Sequence, residues 1–178
     1  MKTKLAITCV LLSLWAGLAW AQAPQMPTPG PQHSRLLYYV GDWHTEAELK
    51  PGPMGPGGKM TSTDHNEMMP GGFFLVMHSN VETSMGQIHE LAVMGYDSEK
   101  KTYTYNSFNN FGEAEVYTGQ VEGNTWTWTG PTTVNGKMMT SRYTAKEVSP
   151  SSFTFKFDVS PDGAAWTNIM EGKATKTK

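Results

Sequence analysis

"FTFKFDV", residues 153–159, alternates large apolar side chains with polar ones at a period of two. That period belongs to a β-strand, so Phe153, Phe155, Phe157 and Val159 share one face and Thr154, Lys156 and Asp158 the other. "TWTW", residues 125–128, repeats the pattern. Working outward, β-rich runs occur at 42–50, 59–68, 73–82, 87–96, 101–108, 113–121, 124–129, 137–147, 152–159 and 165–176. Between them stand Pro70-Gly71-Gly72, Asp97-Ser98-Glu99, Asn110-Phe111-Gly112, Glu122-Gly123-Asn124, Asn135-Gly136 and Pro161-Asp162-Gly163. These are turn residues, and several supply the positive φ that tight hairpins need. No long helical period occurs.

About ten short strands on short turns make an antiparallel meander, whose two sheet edges must be hidden. Closing the sheet hides both, so the expected fold is all-β: an antiparallel up-and-down barrel of about ten strands. A two-sheet sandwich is the alternative, and the succession of short hairpins favours the barrel. "PGPMGPGG", residues 51–58, is too short for a triple helix and reads as the first loop.

The N-terminal part reads differently. Lys2 and Lys4 precede the apolar run "LAITCVLLSLWAGLAWA", and Ala19-Trp20-Ala21 supplies small residues for a signal peptidase. Residues 1–21 are therefore expected to be a secretory signal peptide. The run is short for a membrane anchor, and no later stretch reaches the roughly 18 apolar residues of a span. A periplasmic or secreted location follows as an expectation, with no membrane span after cleavage. The one cysteine, Cys9, falls inside that leader, which excludes thiol chemistry and disulfides from the mature chain. Residues 22–32, "QAPQMPTPGPQ", read as a Pro/Gln-rich linker. The barrel domain is expected over 33–178, opening with one helical turn in "SRLLYYVG" that Ser34 caps and Gly41 ends.

Without the leader, 12 basic residues face 16 acidic ones, and only Arg35 and Arg142 are arginines. No basic patch forms, so nucleic acid is not an expected partner. About 157 residues suffice for one domain with a sizeable core.

Gly41 and Trp43 stand where the first strand begins. A glycine there lets the backbone turn tightly, and a tryptophan can plug one end of a barrel with a single large side chain. "GDW" (41–43), "MPGGFFL" (69–75), "MGYDSEKKTY" (94–103), "NNFG" (109–112), "PDG" (161–163) and "MEG" (170–172) follow in order. Together they resemble the bacterial DUF1579 family, a calycin- or lipocalin-like domain of unknown function. The resemblance covers about residues 36 to 176, with "GYD" and the double glycine its most specific parts. It departs at Asn109, where the family more usually carries Asp, and at Ser107, where Trp is common.

The resemblance implies a fold and not a reaction; the expected activity of such a barrel is binding a small apolar or amphipathic ligand. Arg142, in "TSRYT", resembles an arginine of the family, and in small calycin barrels an inward arginine can fork a ligand carboxylate. Trp43, Tyr96, Tyr105, Trp128, Phe155 and Trp166 can line a cavity or fill the core, and the eleven mature methionines adapt to either. The expected ligand-binding set is Trp43, Tyr96, Tyr105, Asn109, Trp128, Arg142 and Phe155.

Other readings compete. If three hairpins centre between 54 and 55, 71 and 72, and 83 and 84, then His44, His65, His78 and His89 form a cross-strand row. Such a row suits zinc, copper or a proton switch. With Trp43 inward it lies on the outside, and separate surface histidines are the plainer reading. Nitrobindin-like barrels share the architecture and hold haem through a late histidine; here the last is His89, so that axial ligand is missing. No cofactor is expected. An enzyme of lyase or isomerase type is a further rival, as is a filled structural module. No serine nucleophile motif, H-E-x-x-H or phosphate loop occurs, and Glu90 and Asp97 read as solvated carboxylates.

Overall fold

The computed structural model describes residues 26–52 and 55–177. The expected leader, residues 1–21, and residues 22–25 of the expected linker lie outside the described residues. From the N-terminus come α1 (Pro31–Arg35) and a 3-10 turn (Leu36–Tyr39). Ten strands follow: β1 (Gly41–Leu49), β2 (Gly58–Met68), β3 (Leu75–Thr83), β4 (Gly86–Asp97) and β5 (Thr102–Asn109), then β6 (Ala114–Glu122), β7 (Thr125–Val134), β8 (Lys137–Ser149), β9 (Ser152–Ser160) and β10 (Thr167–Lys176).

Each strand pairs antiparallel with its neighbours in sequence, and β1 also pairs with β10, which closes the barrel. The closed sheet has no edge strand. The chain reverses where the turn chemistry allows it. Between β7 and β8, Asn135 and Gly136 take φ of 50° and 73°, the paired positive values of a two-residue hairpin. Among the described residues no helix is long and apolar enough to cross a membrane.

The strand that opened the sequence argument behaves as its period demands. Phe153, Phe155 and Val159 are buried, Phe157 is half-buried, and Thr154 and Lys156 are exposed. β7 is the main extension, running five residues past Thr129. Its ladder to β6 ends at Thr129, and beyond that it pairs with β8 alone, Pro131 opposite Thr140. With one flank unpaired, the missing amide of a proline is tolerated.

The N-terminal turn is longer and earlier than the sequence suggested. Ser34 does not cap it: Gly30 does, its carbonyl accepting from the amides of His33 (3.0 Å) and Ser34 (3.3 Å). Pro31 presets the first helical φ and has no amide to satisfy, so the helix begins inside the stretch read as linker. The segment is fastened to one end of the barrel. Tyr103 Oη donates to the Gln32 carbonyl at 3.0 Å, Arg35 bonds Glu147 at 2.8 Å, and Tyr38 Oη donates to the carbonyls of Ser149 (2.9 Å) and Ser152 (2.8 Å).

Under this cap lies an aromatic plug. Trp43 is 2% exposed, donates Nε1 to the Tyr39 carbonyl at 2.7 Å and packs against Phe153 at 5.2 Å. Gly41, at φ 118°, lets the chain swing from the 3-10 turn into β1. Gly-x-Trp closes the barrel end, as the sequence implied.

Candidate ligand-binding site

Alternation sends every second side chain inward, and ten strands leave a circumference that those side chains do not fill. A cavity of about 350 Å³ remains above the Trp43 plug. Trp43, Tyr105, Tyr117, Trp128, Tyr143, Phe153, Phe155 and Phe157 form most of its wall, with Met60, Met77, Met94 and Met170 between them. Glycines set how far the rings recede. A Cβ on Gly119 would fall 2.5 Å from Trp128, one on Gly130 2.6 Å from Tyr117, and one on Gly172 2.7 Å from Phe155. Each ring therefore lies against bare backbone, and the lumen stays open in front of it.

The remaining wall is mostly polar and carries three acids. Asp64 on β2, Glu90 on β4 and Glu115 on β6 line the cavity. Ser62 Oγ lies 3.2 Å from both Asp64 carboxylate oxygens, and Thr45 Oγ1 donates to Oδ2 at 3.5 Å. Tyr105 donates to Glu90 Oε1 at 2.6 Å. Burial pushes the carboxyls of Asp64, Glu90 and Glu115 above their ordinary range, the hydroxyls around each partly offsetting it. Glu90 is pushed further by Asp64, and Glu115 by Glu90. Burial likewise raises the phenols of Tyr105, Tyr117 and Tyr143.

Among the described residues, no lysine, arginine or histidine lines this cavity. One buried acceptor is also unmet: Asn66 donates Nδ2 to the Tyr39 carbonyl at 3.0 Å, while its Oδ1 has no partner.

Four of the seven expected residues, Trp43, Tyr105, Trp128 and Phe155, line the cavity. Three do not. Tyr96 sits under the N-terminal cap, its ring 4.9 Å from Tyr103 and 5.8 Å from His33. Asn109 holds the β5–β6 turn, its Oδ1 accepting from the amides of Phe111 (3.0 Å) and Glu113 (3.1 Å). Arg142 is on the outer face: it bonds Asp158 at 3.0 Å and stacks 4.1 Å over Trp166. Its neighbours Ser141 and Tyr143 take the inward phase of β8, so the arginine faces out, and Trp166 is outside with it.

Glu90, read as solvated, is inside. Asp64, Asn66, Glu115, Tyr117 and Tyr143 were not singled out from sequence. The available signal was phase: Glu90 is in step with Met94, Glu115 with Tyr117, and Asp64 with Ser62 and Asn66.

The histidines remain on the outer face but do not form the expected row. His65 is opposite His78, while His44 is opposite Thr63 and His89 opposite Asn80. His65 Nδ1 instead meets Asp42 at 2.6 Å, and no group of three His, Cys, Asp or Glu among the described residues is placed to hold a metal. With every imidazole outside the cavity, its residues do not fit a haem held by histidine.

Among solved structures, the chain is similar to Rv2717c from M. tuberculosis, at a TM-score of 0.59 and 12% identity over 84% of this chain and 99% of that one. At that identity the likeness is one of fold. No curated protein matches the chain. The family model described as a protein of unknown function (DUF1579) matches residues 28–176, from the residues just before α1 to the last residue of β10. The chain belongs to the DUF1579 family.

Proposed function

We propose that this protein is an exported carrier that holds a small amphipathic molecule inside the barrel. The observation that supports this reading is the cavity of about 350 Å³, near the lower end of small-molecule sites, which span about 300–1,000 Å³. Its wall joins an aromatic and methionine surface to a few convergent polar groups, the composition such sites share. Export rests on the leader pattern of residues 1–21.

Two measurements test the reading. Protein purified without denaturation and sprayed under gentle conditions should carry a small-molecule mass that denaturation removes. A protein that carries none, and that fails to enhance the emission of the neutral dye Prodan, is not a carrier. In the same spectra, an intact mass starting at Gln22 in the periplasmic fraction supports export, whereas a full-length cytoplasmic mass refutes it.

A further inference from the structure

We propose that the molecule selected by this cavity is an amine, bound as its ammonium cation. The inference rests on the carrier reading and specifies the charge and hydrogen-bonding character of the ligand's head.

Three independent features of the wall agree. The first is charge. Asp64, Glu90 and Glu115 line the cavity from three different strands, and no lysine, arginine or histidine among the described residues lines it with them; from outside the cavity, His44 offers Asp64 a favourable charge interaction. Buried carboxylates are held at a cost unless a cation or enough donors meet them. Here hydroxyls supply part of that need, at 2.6 Å from Tyr105 to Glu90 and 3.2 Å from Ser62 to Asp64. The groups are not arranged to chelate a metal ion, so the cation that suits them is an extended organic one.

The second feature is the unmet acceptor. Asn66 is 3% exposed and lines the cavity. Its amide orientation is fixed by the bond from Nδ2 to Tyr39, which leaves Oδ1 with no donor. A buried amide oxygen in that state costs free energy until an N–H or O–H reaches it. An ammonium offers up to three N–H donors, whereas a carboxylate offers none.

The third is the aromatic surface. Trp128, Tyr105, Tyr143 and Phe155 line the lumen, and aromatic rings attract a desolvated cation that reaches them. The same wall repels an anion. A carboxylate ligand would share the cavity with three acids, and Arg142, the side chain sequence reading had assigned to it, is engaged with Asp158 and Trp166 outside. The N–H donors demanded by Asn66 and the carboxylates favour a primary or secondary amine over a quaternary one.

The experiment compares three probes with one skeleton: 2-phenylethylamine, 2-phenylethanol and 3-phenylpropanoate, each titrated calorimetrically at neutral pH and as a competitor of Prodan. The amine is expected to bind at least about tenfold more tightly than the alcohol, the scale of a charged hydrogen bond, and the carboxylate not to bind. Asp64→Asn, Glu90→Gln and Glu115→Gln should each weaken the amine several-fold and by more than they weaken the alcohol, with melting temperatures confirming that the variants fold. If alcohol or carboxylate binds as well as the amine, or if Prodan binds and no amine displaces it, the cation inference is overturned while the carrier reading stands. If neither Prodan nor any of the three probes binds, the carrier reading fails and the inference with it.

Discussion

Tyr105 donates its hydroxyl to Glu90 Oε1 at 2.6 Å in the barrel interior, and burial raises the pKa of both partners. The bond orients a carboxylate that sequence pattern assigns to solvent, and it makes β4 and β5 jointly responsible for one wall of the cavity. It also ties the stability of the barrel to the charge placed in its lumen.

Glu90→Gln should therefore stabilise the protein above the ordinary carboxylate range. The folded-state carboxyl lies above 4.5, so the native state retains a proton the unfolded chain has lost, and stability falls as pH rises through that interval. The amide is neutral at every pH and still accepts from Tyr105. At pH 8 a gain of about 2–4 °C in Tm is expected, the shift that ~1 kcal/mol gives in a chain of this size. At pH 4, where Glu90 is itself neutral, the two proteins should melt together. A lower Tm for the variant at pH 8 would show that the charged hydrogen bond outweighs the burial.

The end plug should behave as core. Trp43 is 2% exposed and contacts Phe153, Tyr38 and Tyr39. Trp43→Ala should cost about 3–5 kcal/mol in chemical denaturation, the range for removing a large buried ring. A loss within about 0.5 kcal/mol, the surface value, would mean that the N-terminal cap closes the barrel without it.

These two residues also mark how far the sequence could be read. Trp43 was legible because β1 alternates cleanly and a glycine sets its start. β9 was legible because four large apolar residues fix its phase. In β8, "TSRYTA" offers a serine, a tyrosine, two threonines and an alanine, none of which fixes a face. A strand with no apolar phase leaves the direction of Arg142 open, and a one-residue error of phase moves every side chain across the sheet. The histidines show the milder error. The β1–β2 and β3–β4 hairpins are each centred one residue from the expected position, so partners move by two and the face is kept. Glu90 and Glu115 were illegible for a chemical reason: a carboxylate on an inward position is uncommon, and only the enclosing tyrosines and the cavity make it tenable.

Arg142→Met should leave binding of any cavity ligand unchanged, because the guanidinium is outside. Its ion pair with Asp158 is partly exposed, with 34% of the Arg142 side chain open to solvent, and such pairs contribute about 0–1 kcal/mol. Stacking on Trp166 adds roughly 0.5–1 kcal/mol. Thermal melts of Arg142→Met, Trp166→Leu and the double variant should show coupling of that order. A change in affinity for an internal ligand would require Arg142 to swing inward, against the outward position found for it.

The tyrosines give a readout of the whole interior. Tyr38 is pushed up to about 12, chiefly by burial and then by the nearby Glu147, with Arg35 opposing. Burial also raises Tyr39, Tyr103, Tyr105, Tyr117 and Tyr143. The unfolded value is 10.0. The folded state thus holds protons that the unfolded chain releases, and stability is complete below pH 10 and lost as pH rises toward 12 and beyond. In a spectrophotometric titration these six phenols should remain protonated past pH 10 and then ionise together, coincident with loss of near-ultraviolet circular dichroism. A ligand that fills the cavity should move that step to higher pH, since it stabilises the folded state alone. Gradual ionisation centred near pH 10, with the barrel intact, would mean that water reaches the tyrosines freely and that burial does not hold their protons.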